Sequence, residues 1–544
     1  MKRRTLAILL GLGLLAVFAA DVKRSSLWTT SDEPLHLLAA RQMKSGPGLV
    51  SNFEHPVGMK LLAAWGLPEE TGPTLLAETQ AGRKAFPWLF GVLVLSAGLL
   101  TARLACEAAG VAAALLLVLD PSLRAHGAIV QTDVPMTALL MASAALLVLV
   151  KRPYVAATLA GAVYGLAAAT KFSALPFLPV FLVAAALPLI LERRFALSLK
   201  RSGIFVVAAA LALVTAQRVA YADTHPDRIR AAAVEQLEAW GQADRVPRVE
   251  ARFASLPASI AAYSAGLELV DAAAGPGIRF NYLFGKLSAK GFRGYFTVAL
   301  LVKLLAATVL LLVASLALAV VALRPGPGTR RRRVLLVRRA LFPGVVAAGY
   351  LGAASLTSLN IGVRHAFPVF AFALVAALGV LATTFRPRLR RRILAAVVAL
   401  SAVEAVAYAG REIPFGNVFV GGPSGLRRVL SDSNVDWGQD QARVFDRVRK
   451  GDLGRVGVAS VFVDEAEAIR AGVVARPDGP GMDLDAVIVS VHLIDVAAAL
   501  RANHDDVERF RWMKGWLVPM MDELEQRKTR VEPLGDCYVV YVLR

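Results

Sequence analysis

Two adjacent carboxylates, Asp32 and Glu33, follow the first apolar segment of the chain and are candidates for acid–base chemistry. They open a short predicted helix that continues with Pro34. A carboxylate can act as a general base that takes a proton from a hydroxyl group. The pair is equally suited to the start of a helix, because negative charge in the first turn interacts favourably with the helix dipole. The pair alone therefore leaves catalysis and helix capping both open.

Further ionisable residues accompany this pair, several of them at the ends of apolar segments. A mixture of carboxylates and cations suits a site that deprotonates a hydroxyl group while it holds a phosphate. Lysines there can also reach the lipid headgroups, and Asp133 can cap a helix that continues with Pro135. Arg364 is harder to explain in these ways, because it follows an apolar segment on the side where basic residues are rare. The set comprises Glu54, His55, Asp133, Lys171, Lys303, Arg364 and His365.

The composition indicates that membrane helices position these residues. The chain has 544 residues, of which 56% are hydrophobic, and its mean hydropathy is +0.55. A run of about 18 or more apolar residues can cross the ~30 Å hydrocarbon core as a helix. We therefore predict an α-helical polytopic membrane protein with about eleven transmembrane helices. The predicted spans are residues 5–20, 86–104, 111–120, 134–150, 154–170, 174–191, 203–219, 295–323, 340–356, 366–384 and 393–408.

The net charge of +20 comes largely from arginines in short connections between these spans, such as residues 330–333 and 386–392. The positive-inside rule assigns such connections to the cytoplasm. The N-terminus is then cytoplasmic, the C-terminus extracytoplasmic, and the chain a multi-pass protein of the plasma membrane. The basic clusters lack the interleaved aromatic residues that stack nucleic-acid bases, so no nucleic-acid partner is expected.

Residues 1–410 are predicted to form one transmembrane domain with external loops at 21–85 and 220–294. Two interfacial helices are expected in the first loop, at 34–45 and 56–66. Residues 411–544 have the composition of a small extracytoplasmic α/β domain. Its tryptophans, Trp437, Trp512 and Trp516, suit either a core or the stacking of sugar rings. The predicted strands are 456–463, 486–491 and 537–543, and the predicted helices are 464–471 and 494–503.

Taken in order, the motifs resemble those of bacterial membrane glycosyltransferases of the protein-mannosyltransferase and aminoarabinose-transferase type, glycosyltransferase family 39, which have the GT-C fold. The resemblance covers about residues 5–410, and the order and common side of the motifs make it specific. The motifs are Asp32-Glu33, Asn52-Phe53-Glu54-His55-Pro56, Thr132-Asp133-Val134-Pro135, Thr170-Lys171-Phe172-Ser173, Tyr295-Phe296 with Lys303, and Asn360-Ile361-Gly362-Val363-Arg364-His365.

The resemblance implies transfer of a sugar from a polyprenyl-phosphate-linked donor to an extracytoplasmic acceptor, which is an envelope glycan, a lipid or a protein hydroxyl. It implies inversion at the sugar, with Asp32 as the base and Glu33 as a second catalytic residue. Lys171 and Arg364 are the candidate ligands of the lipid phosphate. The resemblance assigns the other motif residues to substrate binding; these are Glu54, His55, Asp133, Lys303 and His365.

The chain departs from its relatives at His55, where they often carry Lys or Gln, so the charge at this position depends on pH. Some relatives bind a divalent metal, for which Glu54, His55 and Asp133 are candidate ligands. Two alternatives to the transferase remain: a transporter or flippase for a lipid-linked sugar, and a non-catalytic glycan-binding protein of envelope assembly. Clustering of the charges at one membrane face, rather than at the midplane, argues against a transporter.

Overall fold

The computed structural model describes residues 1–46, 48–273, 281–324, 329–477, 479–503 and 508–544. Most of the described chain up to residue 410 is helical. Its helices are α1 (Arg3–Ser26), α2 (Glu33–Ser45), α3 (Val57–Gly66), α4 (Leu75–Gly82), α5 (Phe86–Leu104), α6 (Glu107–Leu119), α7 (Pro121–His126), α8 (Asp133–Leu149), α9 (Pro153–Thr170), α10 (Ala174–Leu191), α11 (Phe195–Ala220), α12 (Pro226–Ala239), α13 (Val246–Ser255), α14 (Ala258–Ala273), α15 (Tyr295–Lys303), α16 (Ala306–Leu323), α17 (Thr329–Leu336), α18 (Phe342–Ser355), α19 (Phe367–Thr384) and α20 (Pro387–Ala407).

The helices confirm a polytopic membrane protein. Within the described ranges, eight helical segments are long and apolar enough to cross a membrane, and α6 and α8 are apolar but shorter. Together with α20, these helices coincide with ten of the eleven predicted spans, and α16 covers the second part of the remaining span, 295–323. The two predicted interfacial helices coincide with α2 and α3.

The prediction of one long helix over residues 295–323 is wrong, because the chain breaks between α15 and α16. Side chains from other segments bind the backbone groups that the break releases. The Ala306 amide donates to Glu404 Oε2 at 2.6 Å, and Asn417 Nδ2 donates to the Leu301 and Leu304 carbonyls at 2.7 and 2.8 Å. A break at membrane depth is tolerated where protein groups replace the lost helical hydrogen bonds.

Two glycines allow α9 and α11 to pack in direct backbone contact. Gly161 and Gly165 lie four residues apart and therefore on one face of α9. A Cβ atom at these positions would overlap the Phe205 and Ala209 carbonyl oxygens of α11. Small residues at this spacing are typical of membrane helix pairs that approach closely.

The loop predicted at 220–294 contains more structure than its charged sequence indicated. It forms α12, α13, α14 and a hairpin of β1 (Asn281–Leu283) and β2 (Lys286–Ser288). The apolar sides of these helices pack against α2, α3 and α11 in a small core that includes Leu49, Ile229 and Leu269. These contacts come from tertiary packing rather than from a strong local pattern.

The C-terminal region (residues 411–544) combines helices and strands. Its elements are α21 (Gly422–Leu426), α22 (Gln441–Arg449), β3 (Val456–Ala459), α23 (Glu465–Ala471), β4 (Val473–Ala475), β5 (Ala486–Ser490), α24 (Val491–Ala502), α25 (Glu508–Arg527), β6 (Arg530–Leu534) and β7 (Tyr538–Val542).

The strands of this region form a mixed five-stranded sheet in the order β4-β3-β5-β7-β6. Alternate residues of the central strand β5 face opposite sides: Val487 packs against α24 and α25, whereas Ile488 packs with the core that includes α22 residues. The predicted strands and helices overlap β3, β5, β7, α23 and α24, and the other elements of this region were not predicted.

The two ends of the helical bundle differ in charge. Arg339 and Arg390 both donate to the Ala382 carbonyl, near the end of α19, at 2.7 and 3.2 Å. Arg364 lies just before the start of this helix, whose 18 residues span about 27 Å at the α-helical rise. The arginine-rich connections therefore lie at one end of the bundle and Arg364 at the other. The orientation of these ends in the membrane stays a prediction of the positive-inside rule.

Candidate active site

Five of the predicted site residues come from helix ends that meet at one end of the bundle. Asp32 immediately precedes α2, Asp133 is the first residue of α8, and Lys171 immediately follows α9. Arg364 and His365 lie in a 3-10 turn, Val363–Ala366, that leads into α19. Helix ends can present side chains toward a common point because the polypeptide changes direction there.

Ion pairs and hydrogen bonds connect these five side chains in one network. Arg364 Nη2 donates to Asp32 Oδ2 at 3.1 Å, and Arg364 Nε lies 3.7 Å from Asp133 Oδ2. The other oxygen of Asp133 accepts a hydrogen bond from Lys171 Nζ, which lies 3.3 Å from His365 Nδ1. Asp133 thus holds both cations, and Arg364 links the two carboxylates.

Asp32 is the exposed member of this network. Its side chain is 41% exposed, whereas those of Arg364 and Asp133 are buried. It makes no capping hydrogen bond to α2, although it occupies the capping position. Its carboxylate instead faces Arg364 and solvent.

The Arg364 guanidinium has one nitrogen without a hydrogen bond. Its Nη1 is buried and has no partner in the described part of the chain.

A segment of the C-terminal region, residues 432–440, packs directly on this network. The indole of Trp437 lies beneath the Arg364 guanidinium, with 3.8 Å from Cζ to the ring centroid, which is a cation–π contact. The Trp437 carbonyl accepts from the Ser31 amide at 2.9 Å, one residue before Asp32. Asn434 Oδ1 accepts from the Val363 amide at 2.9 Å, one residue before Arg364. The segment therefore holds the backbone on both sides of the Asp32–Arg364 pair.

A cavity of about 1010 Å³ opens above the network. Asp32 and Arg364 line one side, and the C-terminal region lines the other with Asp432, Trp437 and Trp512 among its residues. The volume is at the upper end of the range for small-molecule sites. A substrate in this cavity would reach Asp32 directly.

Glu33 is fully enclosed by protein, with 0% of its side chain exposed. Arg83, also 0% exposed, binds both of its carboxylate oxygens, at 2.7 and 2.5 Å. The same arginine donates to the carbonyls of Leu27 and Trp28 at 2.7 and 2.8 Å. The position gives no support to a catalytic Glu33, because substrate cannot reach it. Its surroundings are those of a residue that shapes the loop carrying Asp32.

Lys303 is also enclosed rather than directed at a substrate. Its ammonium group donates to the Ile413 and Asn434 carbonyls at 2.5 and 3.0 Å. Lys303 therefore attaches the end of α15 to the C-terminal region, and neither snorkelling nor substrate binding describes this position.

Glu54 and His55 lie in a second polar cluster with His36 and Lys60. The rings of His36 and His55 meet edge to face at 4.7 Å between centroids, and Gln236 Nε2 donates to Glu54 Oε2 at 2.5 Å. Burial, with smaller contributions from neighbouring His36, Lys60 and Lys171, holds the pKa of His55 well below its usual value. His55 is therefore neutral near pH 7 and does not replace the positive charge of a lysine.

The candidate metal ligands Glu54, His55 and Asp133 do not fit a metal ion. In the described part of the chain, no group of three or more His, Cys, Asp or Glu side chains has the arrangement of a metal site. Both oxygens of Asp133 face cations, Lys171 and Arg364, whose charges would oppose a metal ion at the same carboxylate.

The buried side chain of Lys60 should make the free energy of unfolding depend on pH. Burial lowers the pKa of this lysine to about 7, against the opposing effect of Glu54. Between pH 7 and the usual lysine pKa, the unfolded chain binds more protons at Lys60 than the folded chain does. The free energy of unfolding should therefore rise with pH in this range, by at most about 1.4 kcal/mol per pH unit, as the destabilising effect of Lys60 diminishes. Thermal unfolding of wild type and Lys60→Met should therefore show the largest advantage of the variant near pH 6.5 and a smaller one at pH 9.5. An advantage that does not change with pH would contradict the prediction.

Sequence reasoning passed over Arg83 and left Trp437 undecided. A usable signal was present for Arg83, because it lies in the predicted external segment 21–85, where basic residues are not favoured. The same argument singled out Arg364. For Trp437 the signal was the polar sequence around it, Asp432 to Asp440. The partner of this segment beside the network, the Val363 amide, lies 71 residues from Asn434 in the chain.

No model of a protein family and no curated protein matches the sequence. Among solved structures, the oligosaccharyltransferase AglB from Archaeoglobus fulgidus, in complex with an inhibitory peptide and a dolichol-phosphate, matches with a TM-score of 0.50 at 12% identity, over 92% of this chain and 71% of that chain. The apo form of the oligosaccharyltransferase from this organism gives a TM-score of 0.51 at 12% identity, over 94% and 72%.

ArnT from Cupriavidus metallidurans, bound to undecaprenyl phosphate, is 14% identical and covers 98% of this chain and 97% of that chain. Its TM-score of 0.31 is too low to support an argument. The matches to the archaeal enzyme show that this chain shares the fold of that enzyme, which is the GT-C fold expected from the sequence.

Proposed function

We propose that this protein is a membrane glycosyltransferase that moves a sugar from a polyprenyl-phosphate-linked donor to a hydroxyl group of an acceptor outside the plasma membrane. The observation that supports it most is the Asp32–Arg364 pair at the side of a large cavity, on a GT-C fold. The narrower assignment to glycosyltransferase family 39 rests on the motifs of the sequence.

In the proposed reaction Asp32 accepts the proton of the acceptor hydroxyl. The hydroxyl oxygen then forms a bond to the anomeric carbon from the face opposite the lipid phosphate, and the configuration inverts. The bond between the anomeric carbon and the phosphate oxygen breaks, and its electron pair leaves with the polyprenyl phosphate. A phosphate leaves without a protonating acid if cations stabilise its charge.

Arg364 and Lys171 would supply that stabilisation. Arg364 lines the cavity, and its Nη1 has no hydrogen-bond partner among the described residues, so this buried donor would gain one from a phosphate oxygen. Lys171 is mostly buried, with its ammonium group between Asp133 and His365. The carboxylate of Asp133 offsets part of the two positive charges and orients both groups, so that the phosphate meets a preorganised site.

The remaining candidate residues receive supporting roles in this proposal. Glu33 and Arg83 position the loop that carries Asp32, and Lys303 connects the bundle to the C-terminal region. Neutral His55 and the half-buried Glu54 support the first external loop beside the site.

The structural neighbour supports the substrate classes of this proposal. AglB was captured with a dolichol-phosphate and an inhibitory peptide, that is, with a polyprenyl-type lipid phosphate and a peptide ligand. By analogy of fold, the chain would bind a lipid phosphate and a separate acceptor. The sugar and the acceptor are not defined by this analogy.

Purified protein in proteoliposomes with radiolabelled polyprenyl-phosphate sugars and hydroxyl acceptors tests the proposal. We expect label to move to an acceptor, release of unlabelled polyprenyl phosphate, and a product of inverted anomeric configuration. Label that reaches the opposite leaflet while still attached to lipid would instead identify a flippase. Binding of glycans without transfer or transport would identify an assembly protein.

A further inference from the structure

The wall of the cavity opposite Asp32 carries two tryptophans that the proposed reaction does not use. Trp512 and Trp516 lie four residues apart on α25, and therefore on one face of that helix. Their ring centroids are 5.9 Å apart in an edge-to-face arrangement, and both rings line the cavity. Trp512 is 64% exposed, which leaves much of a large apolar ring in contact with solvent.

Polar groups accompany these rings. Trp516 Nε1 is buried without a hydrogen-bond partner in the described part of the chain. Asp432 lines the same cavity with a φ of +59°, a backbone conformation that residues other than glycine rarely adopt. His492 helps to hold it there, since its Nδ1 accepts from the Asp432 amide at 2.9 Å. Such strained positions often occur at binding sites.

This combination suits a carbohydrate better than other ligands. Sugar rings have an apolar face of C–H groups that packs on an indole, and hydroxyl groups that donate to carboxylates such as Asp32 and Asp432. The same carboxylates interrupt the apolar surface that a lipid chain would require.

We infer that the acceptor is a carbohydrate and that Trp512, Trp516 and Asp432 form its binding subsite. This inference rests on the proposed transferase function, which it makes more specific. The tryptophans hold the apolar faces of the sugar units, and Asp432 accepts from their hydroxyl groups. The cavity of about 1010 Å³ has room for more than one sugar unit, so that one hydroxyl can lie at Asp32.

The test uses the full-length protein in nanodiscs, applied to arrayed neutral, amino-sugar and uronic-acid oligosaccharides and to arrayed short peptides. We expect wild type to be retained on at least one oligosaccharide class. Trp512→Ala should weaken that retention about tenfold, the effect of losing one aromatic contact. Because Trp512 is exposed, this variant should fold as wild type does, and its thermal unfolding serves as the check. Ile469→Ala, at a side chain 74% exposed on α23, is the matched control and should bind as wild type does.

Asp32→Asn separates this inference from the proposed reaction. Trp512, Trp516 and Asp432 are unchanged in this variant, and the Asn oxygen still accepts from a hydroxyl group, so oligosaccharide retention should persist while sugar transfer falls about 100- to 10,000-fold. Sugar transfer by wild type without retention of any oligosaccharide would overturn the inference alone. Retention on peptides only, or oligosaccharide retention that Trp512→Ala leaves unchanged, would also overturn it. Oligosaccharide retention without any sugar transfer by wild type would overturn the proposed function and leave the subsite in place.

Discussion

Replacement of Asp32 by Asn is expected to lower the turnover of sugar transfer by about 100- to 10,000-fold, the contribution typical of a general base. Asn has nearly the same size, and its amide oxygen can still accept from Arg364, which donates to Asp32 at 3.1 Å. The variant should therefore fold and bind the donor, but it lacks a group that accepts the proton of the acceptor hydroxyl.

Initial rates in proteoliposomes, at saturating donor and acceptor, measure this effect. Asp227→Asn is the matched control, because that carboxylate is 81% exposed on α12 and should tolerate the same change. Wild-type turnover in Asp32→Asn would exclude Asp32 as the base. A loss of donor binding equal to the loss of turnover would assign Asp32 to binding instead.

Replacement of Arg83 by Met should cause the largest loss of stability, about 3–5 kcal/mol, because Glu33 would then be a buried charge without its partner. Both side chains are 0% exposed, and Arg83 also binds the carbonyls of Leu27 and Trp28. The double variant Arg83→Met with Glu33→Gln should regain part of this loss, since no uncompensated charge remains.

Thermal unfolding in detergent compares these variants with Arg455→Met, which removes an ion pair to Asp483 in which both side chains are more than half exposed. Exposed pairs typically contribute about 0–1 kcal/mol, so this control should unfold close to wild type. If Arg83→Met unfolds like the control, the pair does not hold the Asp32 loop. If the double variant is no more stable than Arg83→Met, the charge of Glu33 is not the cause of the loss.

The C-terminal region contacts the candidate site in the membrane domain. The sequence predicted this region as a separate α/β domain and assigned no function to it. In the structure its 432–440 segment contacts the backbone beside Asp32 and Arg364 and places Trp437 on the guanidinium. An acceptor bound to the C-terminal wall would therefore lie against the same segment that holds the proposed catalytic pair.

The sequence by itself determined the membrane class, the positions of the spans and the candidate residues at their ends. Apolar runs long enough to cross a bilayer and arginine-rich connections are strong local signals. The hydrocarbon core admits few polar side chains or unpaired backbone groups, and basic residues concentrate in cytoplasmic connections. Five residues chosen in this way, Asp32, Asp133, Lys171, Arg364 and His365, do form one network.

Only the tertiary structure decided which charges are available for chemistry. Asp32 and Glu33 are neighbours of similar chemistry, yet one faces a cavity and the other is enclosed with Arg83, 50 residues away in the chain. Lys303 is likewise buried by a segment more than 100 residues distant. Burial and pairing depend on contacts between residues far apart in sequence, and no local pattern specifies those contacts.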